Sequence, residues 1–296
     1  MAVHPRDVSV VVQGPVAPET PEVLASVRAL LPEAQLVLST WEGAATDGID
    51  VDVMLRSADP GSEAYWPGND RKVNTNRMIR STRAGVEAAT RPWVLKLRQD
   101  TPVVSTAFLE WADQRAPRTD ELRVFTQRVL TTSIATRGSA RMPAFLFHPS
   151  DCVHFGLAQD VRHLWGLDEV DELANSTYWT KGPGAAAGHL PNPGSPGPAL
   201  WNEQAVWLSA LRRSGHAVSY PYYGYVSEGL ARQSDVSLVN NFLVLEPWQL
   251  GVAMPGLIGL TRLSGVHGYL WHEDWLQLVE DLLVDSDRSS APARRR

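Results

Sequence analysis

Short apolar runs divided by turn residues, rather than long amphipathic repeats, organise the first hundred positions of the chain. Val8-Ser9-Val10-Val11-Val12 is a β-branched run closed by Gln13-Gly14-Pro15, which predicts a buried strand ending in a turn. Thr20-Pro21-Glu22 predicts a helix start, with Thr20 as N-cap and proline at the first position. Val23, Val27, Leu30 and Leu31 give that helix an apolar stripe, which ends before Pro32. Gln35–Thr40 reads as a second strand, and strand, helix and strand at this spacing make a right-handed βαβ unit. Trp41-Glu42-Gly43 leaves its carboxyl end. Residues 58–72 are rich in Pro, Gly, Asp and Asn and predict a loop, with a helix from Lys72 to Ala89. A third strand, Trp93-Val94-Leu95-Lys96-Leu97-Arg98-Gln99-Asp100, is stopped by Pro102. A helix over Thr106–Gln114 and a strand over Leu122–Thr126 follow. The alternation predicts an α/β fold with a mostly parallel sheet flanked by helices.

Beyond residue 140 the pattern changes. The stretch from Phe145 to Gly156 is apolar but punctuated by His148, Ser150, Asp151 and His154. Leu157–Leu167 and Leu200–Leu211 predict helices, and Asn240–Leu245 predicts a strand. Residues 181–199 hold many Gly, Pro and Ala, which predicts a flexible loop or lid. Residues 285–296 form a polar tail expected to be disordered. The expected organisation is a first half, 1–140, a second half of the same domain, 141–284, and the tail.

Composition narrows the partners. A net charge of −6 argues against sequence-independent nucleic-acid binding. The single cysteine, Cys152, rules out a disulfide or a cysteine-based zinc site within one chain, which fits the cytosol. The start lacks the regions of a signal peptide, and no apolar run approaches the roughly 20 residues that span a bilayer. A soluble, cytoplasmic protein is expected, with peripheral contact at the inner face of a membrane left open. The second half is dense in Trp and Tyr, residues that fill cores and also stack on sugars.

Asp100 stands where a strand leaves the sheet, and open α/β sheets bind ligands outside those carboxyl ends. A carboxylate there can share a divalent cation with a diphosphate, or it can be a solvated turn residue. Taken in order, VSVVVQGPV at 8–16, LVLSTWEG at 36–43, VNTNRMIRSTRAGVEAA at 73–89, VLKLRQDT at 94–101, FHPSDCVHFGL at 147–157, WNEQAVWL at 201–208 and NNFLVLEPWQLGV at 240–252 resemble the WavE-type lipopolysaccharide synthesis family. The resemblance runs from about residue 8 to about residue 280 and implies a GT-A-like glycosyltransferase acting on surface polysaccharide. It implies a nucleotide-sugar donor, a saccharide, lipid-linked or other hydroxyl acceptor, and Mn2+ or Mg2+. Many such enzymes carry two acids in an Asp-any-Asp motif. Here the position reads Arg98-Gln99-Asp100, which leaves one acid, Asp100, as the metal ligand. A noncatalytic binding protein of the same fold and a sugar nucleotidyltransferase are the alternatives. The second lacks support because no Gly-rich Arg/Lys loop follows the first strand.

On that reading the nucleoside lies over Gln13, Gly14 and Pro15, with Trp41 at the next strand end. Arg98, Arg71, Lys72 and Arg77 are the candidate cations for the leaving diphosphate. Asn74 and Asn76 are candidates for sugar hydroxyls. Two carboxylates compete on the acceptor side: Asp151, favoured for substrate contact, and Glu203, favoured as the base. His148, Asp151 and His154 have a His-x2-Asp-x2-His spacing that is not a standard zinc pattern. His267 and His272 are further candidates to complete a metal shell with Asp100.

Overall fold

The structure is a computed structural model that describes residues 3–64, 72–113, 116–186, 198–254 and 268–284. Arg71, His267, most of the 181–199 loop and the 285–296 tail lie outside the described residues.

Nine strands are described: β1 (Val8–Gln13), β2 (Gln35–Trp41), β3 (Val53–Ser57), β4 (Glu63–Ala64), β5 (Lys72–Val73), β6 (Trp93–Arg98), β7 (Val129–Thr132), β8 (His154–Leu157) and β9 (Phe242–Leu245). Seven of them form one sheet in the order β3-β2-β1-β6-β8-β7-β9. Only β8 runs against its neighbours β6 and β7, so the sheet is mostly parallel as expected. The helices are α1 (Thr20–Leu30), α2 (Thr75–Ala88), α3 (Ala158–Trp165), α4 (Glu172–Thr177), α5 (Pro183–Ala186), α6 (Asn202–Arg213), α7 (Glu228–Asn241), α8 (Pro247–Leu250) and α9 (His272–Val279). This is an α/β, GT-A-like architecture, and both halves of the chain contribute strands to its sheet.

The order of the strands decides where a ligand can enter. From β1 the chain steps outward through β2 to β3, then returns to the other side of β1 as β6. The β1–β6 boundary is therefore the topological switch point, where a crevice opens beyond the strand ends. Gln13 and Arg98 are register partners at that edge. Below them the core is dry: Val8, Val10, Val11, Val12, Leu36, Leu38, Val94, Leu95 and Leu97 are fully buried. Helix α2 lies directly on this floor because Gly85 has no side chain. A Cβ there would run into Val11, and would press on Ser39 Cβ at 3.3 Å.

Several expectations need correction. Thr20 is the first helical residue and not the cap; its Oγ1 accepts from the Ala17 N–H at 2.9 Å. Lys72 belongs to β5, paired with β4, and α2 starts only at Thr75. The 106–114 segment is a short 3-10 turn, Ala107–Trp111. Leu122–Thr126 is no strand; the strand is Val129–Thr132. Asn240 and Asn241 end α7, and β9 starts at Phe242.

Candidate functional site

A cleft of ≈ 500 Å³ opens at the switch point, lined by Gln13, Gly14, Pro15, Trp41, Asp59, Asn74, Arg77, Met78, Ser81, Lys96, Arg98, Gln99, Asp151 and Asn202. Gln13 ends β1 and is buried. Its Oε1 accepts from the Ser81 hydroxyl on α2 at 2.7 Å, which leaves its amide N–H groups as the donor end. Gly14 turns the chain at φ 125°, a conformation open to glycine, and a side chain there would strike Gln99. Asn74 stands just before α2 and accepts from Arg77 Nη1 at 3.3 Å. Arg77 in turn makes a bidentate pair with Asp59 at 2.7 and 2.5 Å.

The two residues of β6 that face the cleft are both cations. Arg98 closes a bidentate pair on Asp100 at 3.0 and 2.7 Å. Burial, the largest single effect, opposes the Arg98 charge, but the hydrogen bond to Asp100 and the negative charges around it together outweigh burial and drive the Arg98 pKa up. Burial alone would likewise raise Asp100; the hydrogen bond and charge of Arg98 hold it below the usual carboxylate value. Two residues earlier, Lys96 is 0 % exposed. Its Nζ donates to the Asp151 carbonyl, approaches the Cys152 carbonyl at 3.4 Å, and lies 4.9 Å from the Trp165 ring centre. Burial pushes Lys96 down to about 8, against the charge of Asp151, which favours the ammonium. The neighbouring Cys152 thiol is pushed up to about 12 by burial, so it is an inert, protonated group.

Beside these cations stands Asp151, half-buried and among the residues lining the cleft. Asn202, the first residue of α6, lines the cleft beside it and accepts from Thr75 Oγ1 at 2.5 Å. Glu203, one residue on, is not among the lining residues. Its Oε2 lies 3.4 Å from His148 Nε2. His148 Nδ1 is 3.0 Å from the Ala135 carbonyl, which can only accept, so Nδ1 carries the proton and Nε2 is bare. Burial, with Arg137 nearby, pushes His148 down to about 3 and keeps the ring neutral. Burial and the Asp151 charge both push Glu203 well above its usual value. The Glu203 carboxyl therefore faces the bare Nε2 of a neutral imidazole, with its pKa pushed up by burial and by Asp151. Two non-glycine residues in the left-handed region, Ala135 at φ 69° and Phe147 at φ 56°, flank this pair. Such conformations cost on the order of 1–3 kcal/mol each and persist where the surroundings enforce them.

Of the residues named from sequence, Gln13, Gly14, Pro15, Trp41, Asn74, Arg77, Arg98 and Asp151 converge on the cleft. Asn76 does not. Its amide closes a two-way bond with Val170 at 2.9 and 2.8 Å, a tie between α2 and the segment before α4. Lys72 is exposed on β5 and outside the lining. As placed, Asp100 does not fit a divalent cation, because both its oxygens accept from Arg98, whose positive charge stands there already. Among the described residues no group of three or more His, Cys, Asp or Glu is set to hold a metal. His148 and His154 point to separate partners, Ala135 and Trp165, and His272 bonds the Val244 carbonyl at 2.7 Å. Sequence reading missed Lys96, Asp59, Ser81 and Asn202. Lys96 left a signal, since a lysine between Leu95 and Leu97 in a buried strand needs a reason.

No helix of the described residues is long and apolar enough to cross a membrane. No curated protein matches the chain significantly. The family model described as WavE lipopolysaccharide synthesis matches residues 8–291, nearly the whole length, with the switch-point cleft inside it. The chain therefore belongs to the WavE lipopolysaccharide synthesis family.

Proposed function

We propose that the protein is a glycosyltransferase of lipopolysaccharide synthesis, moving a sugar from a nucleoside-diphosphate donor to a hydroxyl of a saccharide or lipid-linked acceptor. The observation that carries this reading is a cleft at the sheet's switch point lined by cations of the sheet floor, with a carboxylate, Asp151, beside them. Residues 1–140 supply the donor side and residues 141–284 the acceptor side. The nucleoside lies against the amide of Gln13 and the ring of Trp41, and Gly14 lets the backbone come close. The departing diphosphate gathers negative charge, which preorganised cations stabilise best in a site with little water. Lys96 and Arg98 are placed for that role, and Arg77 lies at the rim. A Mn2+ or Mg2+ ion on Asp100 would first have to displace Arg98, so the cations of the chain are preferred here. Asp151 takes the proton from the acceptor hydroxyl as the hydroxyl attacks the anomeric carbon. Glu203, whose protonated form burial and the Asp151 charge favour, stands outside the cleft lining and acts through the charge of Asp151.

Calorimetry with UDP, GDP, CDP and ADP tests the donor half. One of the four is expected to bind with EDTA present, and Gln13→Ala is expected to weaken it at least tenfold. Silence from all four counts against the whole reading. Binding without any turnover of the matching nucleotide sugar would leave a noncatalytic binding protein.

Glu203→Gln separates the two carboxylates. The amide copies a protonated carboxyl, so transfer is expected to stay within about tenfold of the unsubstituted enzyme. A loss near 10³-fold, of the size general-base removal brings, would return the base to Glu203.

A further inference from the structure

Among the described residues, the Arg137 guanidinium has no oxygen hydrogen-bonded to it. Other deeply set arginines of this chain find one: Arg98 bonds Asp100, while Arg118 and Arg128 donate to main-chain carbonyls. Among the described residues, the acceptor found for the Arg137 side chain is the sulfur of Met142, 3.2 Å from Nη1. Its Nε is buried with no hydrogen-bond partner. Two rings hold the group in place, Tyr269 at 4.4 Å and Phe145 at 5.2 Å from the guanidinium carbon. The Arg137 main chain is fixed as well, by an N–H bond of 2.9 Å to the His148 carbonyl and a bridge to Tyr269. Glu203 lies close enough for its charge to favour the Arg137 cation, but among the described residues no hydrogen bond or ion pair joins the two side chains. Arg137 is half-buried, and desolvating a cation without a partner is unfavourable. Burial accordingly pushes the Arg137 pKa down.

The surroundings indicate what the missing partner belongs to. Phe145 packs on Tyr223 at 4.8 Å and on Trp201 at 5.9 Å. Phe145 and Trp201 are half-buried. Trp201 directly precedes Asn202, which lines the donor cleft. Apolar ring faces beside a forked cation suit a sugar that carries a negatively charged oxygen group: the pyranose faces a ring, and two oxygens meet the fork.

We propose that Arg137, between Phe145 and Tyr269, forms a subsite for an oxyanion-bearing sugar, a carboxylate or phosphate group on the acceptor. Naming that sugar the acceptor rests on the glycosyltransferase reading; the binding of an acidic sugar does not. The subsite makes the substrate of this enzyme an acidic saccharide, and it places the charged group beside the Glu203–His148 pair rather than in the diphosphate cleft.

The test uses the full chain and three probes at millimolar concentration: glucuronic acid, glucose 6-phosphate and glucose, each followed by NMR and by thermal shift. At least one acidic probe is expected to bind and glucose to bind at least tenfold more weakly. Preference between carboxylate and phosphate identifies the group. Arg137→Met is expected to lose the acidic probe at least tenfold while keeping its nucleoside-diphosphate affinity. Its melting temperature without ligand should match or exceed that of the unsubstituted chain, since an unpaired cation has been removed. A mere structural clamp would show the reverse, a lower melting temperature with probe binding intact, and would overturn the proposal. Should Arg137→Met not fold, Arg137→Lys keeps the charge but not the fork, and is expected to lose affinity at least tenfold; unchanged affinity in that variant overturns the proposal too. Failure of both acidic probes on the unsubstituted chain, with nucleotide binding intact, sinks this inference alone. Acidic-probe binding without any nucleotide binding sinks the transferase reading and leaves the subsite.

Discussion

Asp151→Asn is expected to abolish sugar transfer while leaving nucleoside-diphosphate binding within about twofold. Asparagine keeps the size of the side chain and its place in the cleft, but it cannot take a proton. General-base removal lowers rates by about 10²–10⁴-fold. The fold should tolerate the change, because the Asp151 main-chain carbonyl, not its carboxylate, accepts from Lys96. A second signature follows from the neighbouring Glu203. The Asp151 charge is one cause of the raised Glu203 pKa. With that charge removed, Glu203 gives up its proton at lower pH than before. NMR titration of the Glu203 carboxyl should therefore find its pKa lower in Asp151→Asn than in the unsubstituted protein. Full transfer activity in this variant would remove Asp151 from the chemistry.

The donor side of the molecule could be read from sequence because it is built from local signals. β1, β2 and β6 are continuous apolar runs, and each ends in turn residues, so both the strands and the cleft at their carboxyl ends follow from periodicity. The acceptor side resisted because long-range side-chain bonds replace regular pairing there. Leu122–Thr126 alternates like a strand, yet the N–H groups of Val124 and Phe125 donate to Asn241 Oδ1, and those of Thr126 and Gln127 to the Asp160 carboxylate. A backbone satisfied by side chains over 30 residues away has no need of a strand partner. Helix α7 was invisible for a related reason. Its residues from Ser234 to Asn241 are all buried, polar ones included, so no amphipathic stripe marks it. Asn76 was misassigned because an amide beside the site looks the same in sequence whether it faces ligand or clamps Val170.

Lys96→Met is expected to cost at least 10²-fold in turnover, with donor affinity reduced less. Lysine at this depth is retained against a substantial desolvation penalty, and its neighbours explain how the charge is kept. Two carbonyls and the Trp165 ring hold the ammonium; Asp151 and Asp100 favour it, whereas Arg98 opposes it. His154, the register partner of Lys96 on β8, is held neutral by burial and by Lys96 itself. The ammonium therefore offers positive charge to a leaving diphosphate without a compensating motion, an effect worth about 10²–10³-fold when one such donor is lost. Its titration provides the discriminating readout. In the free enzyme Lys96 is pushed down to about 8, so it loses its proton as pH rises through that value. Thus kcat/KM, which reports the free enzyme, should fall above about pH 8. A bound diphosphate adds negative charge, raises the Lys96 pKa and moves the same limb of kcat to higher pH. Lys96→Arg keeps a charge that does not titrate in this range, so its lower activity should show no such limb. Repeating the profile in EDTA completes the test. Unchanged activity favours the chain's own cations as the stabilising charge. Loss restored by manganese would mean that Asp100 releases Arg98 to hold the ion, and Lys96 would then be left with the positioning of Asp151.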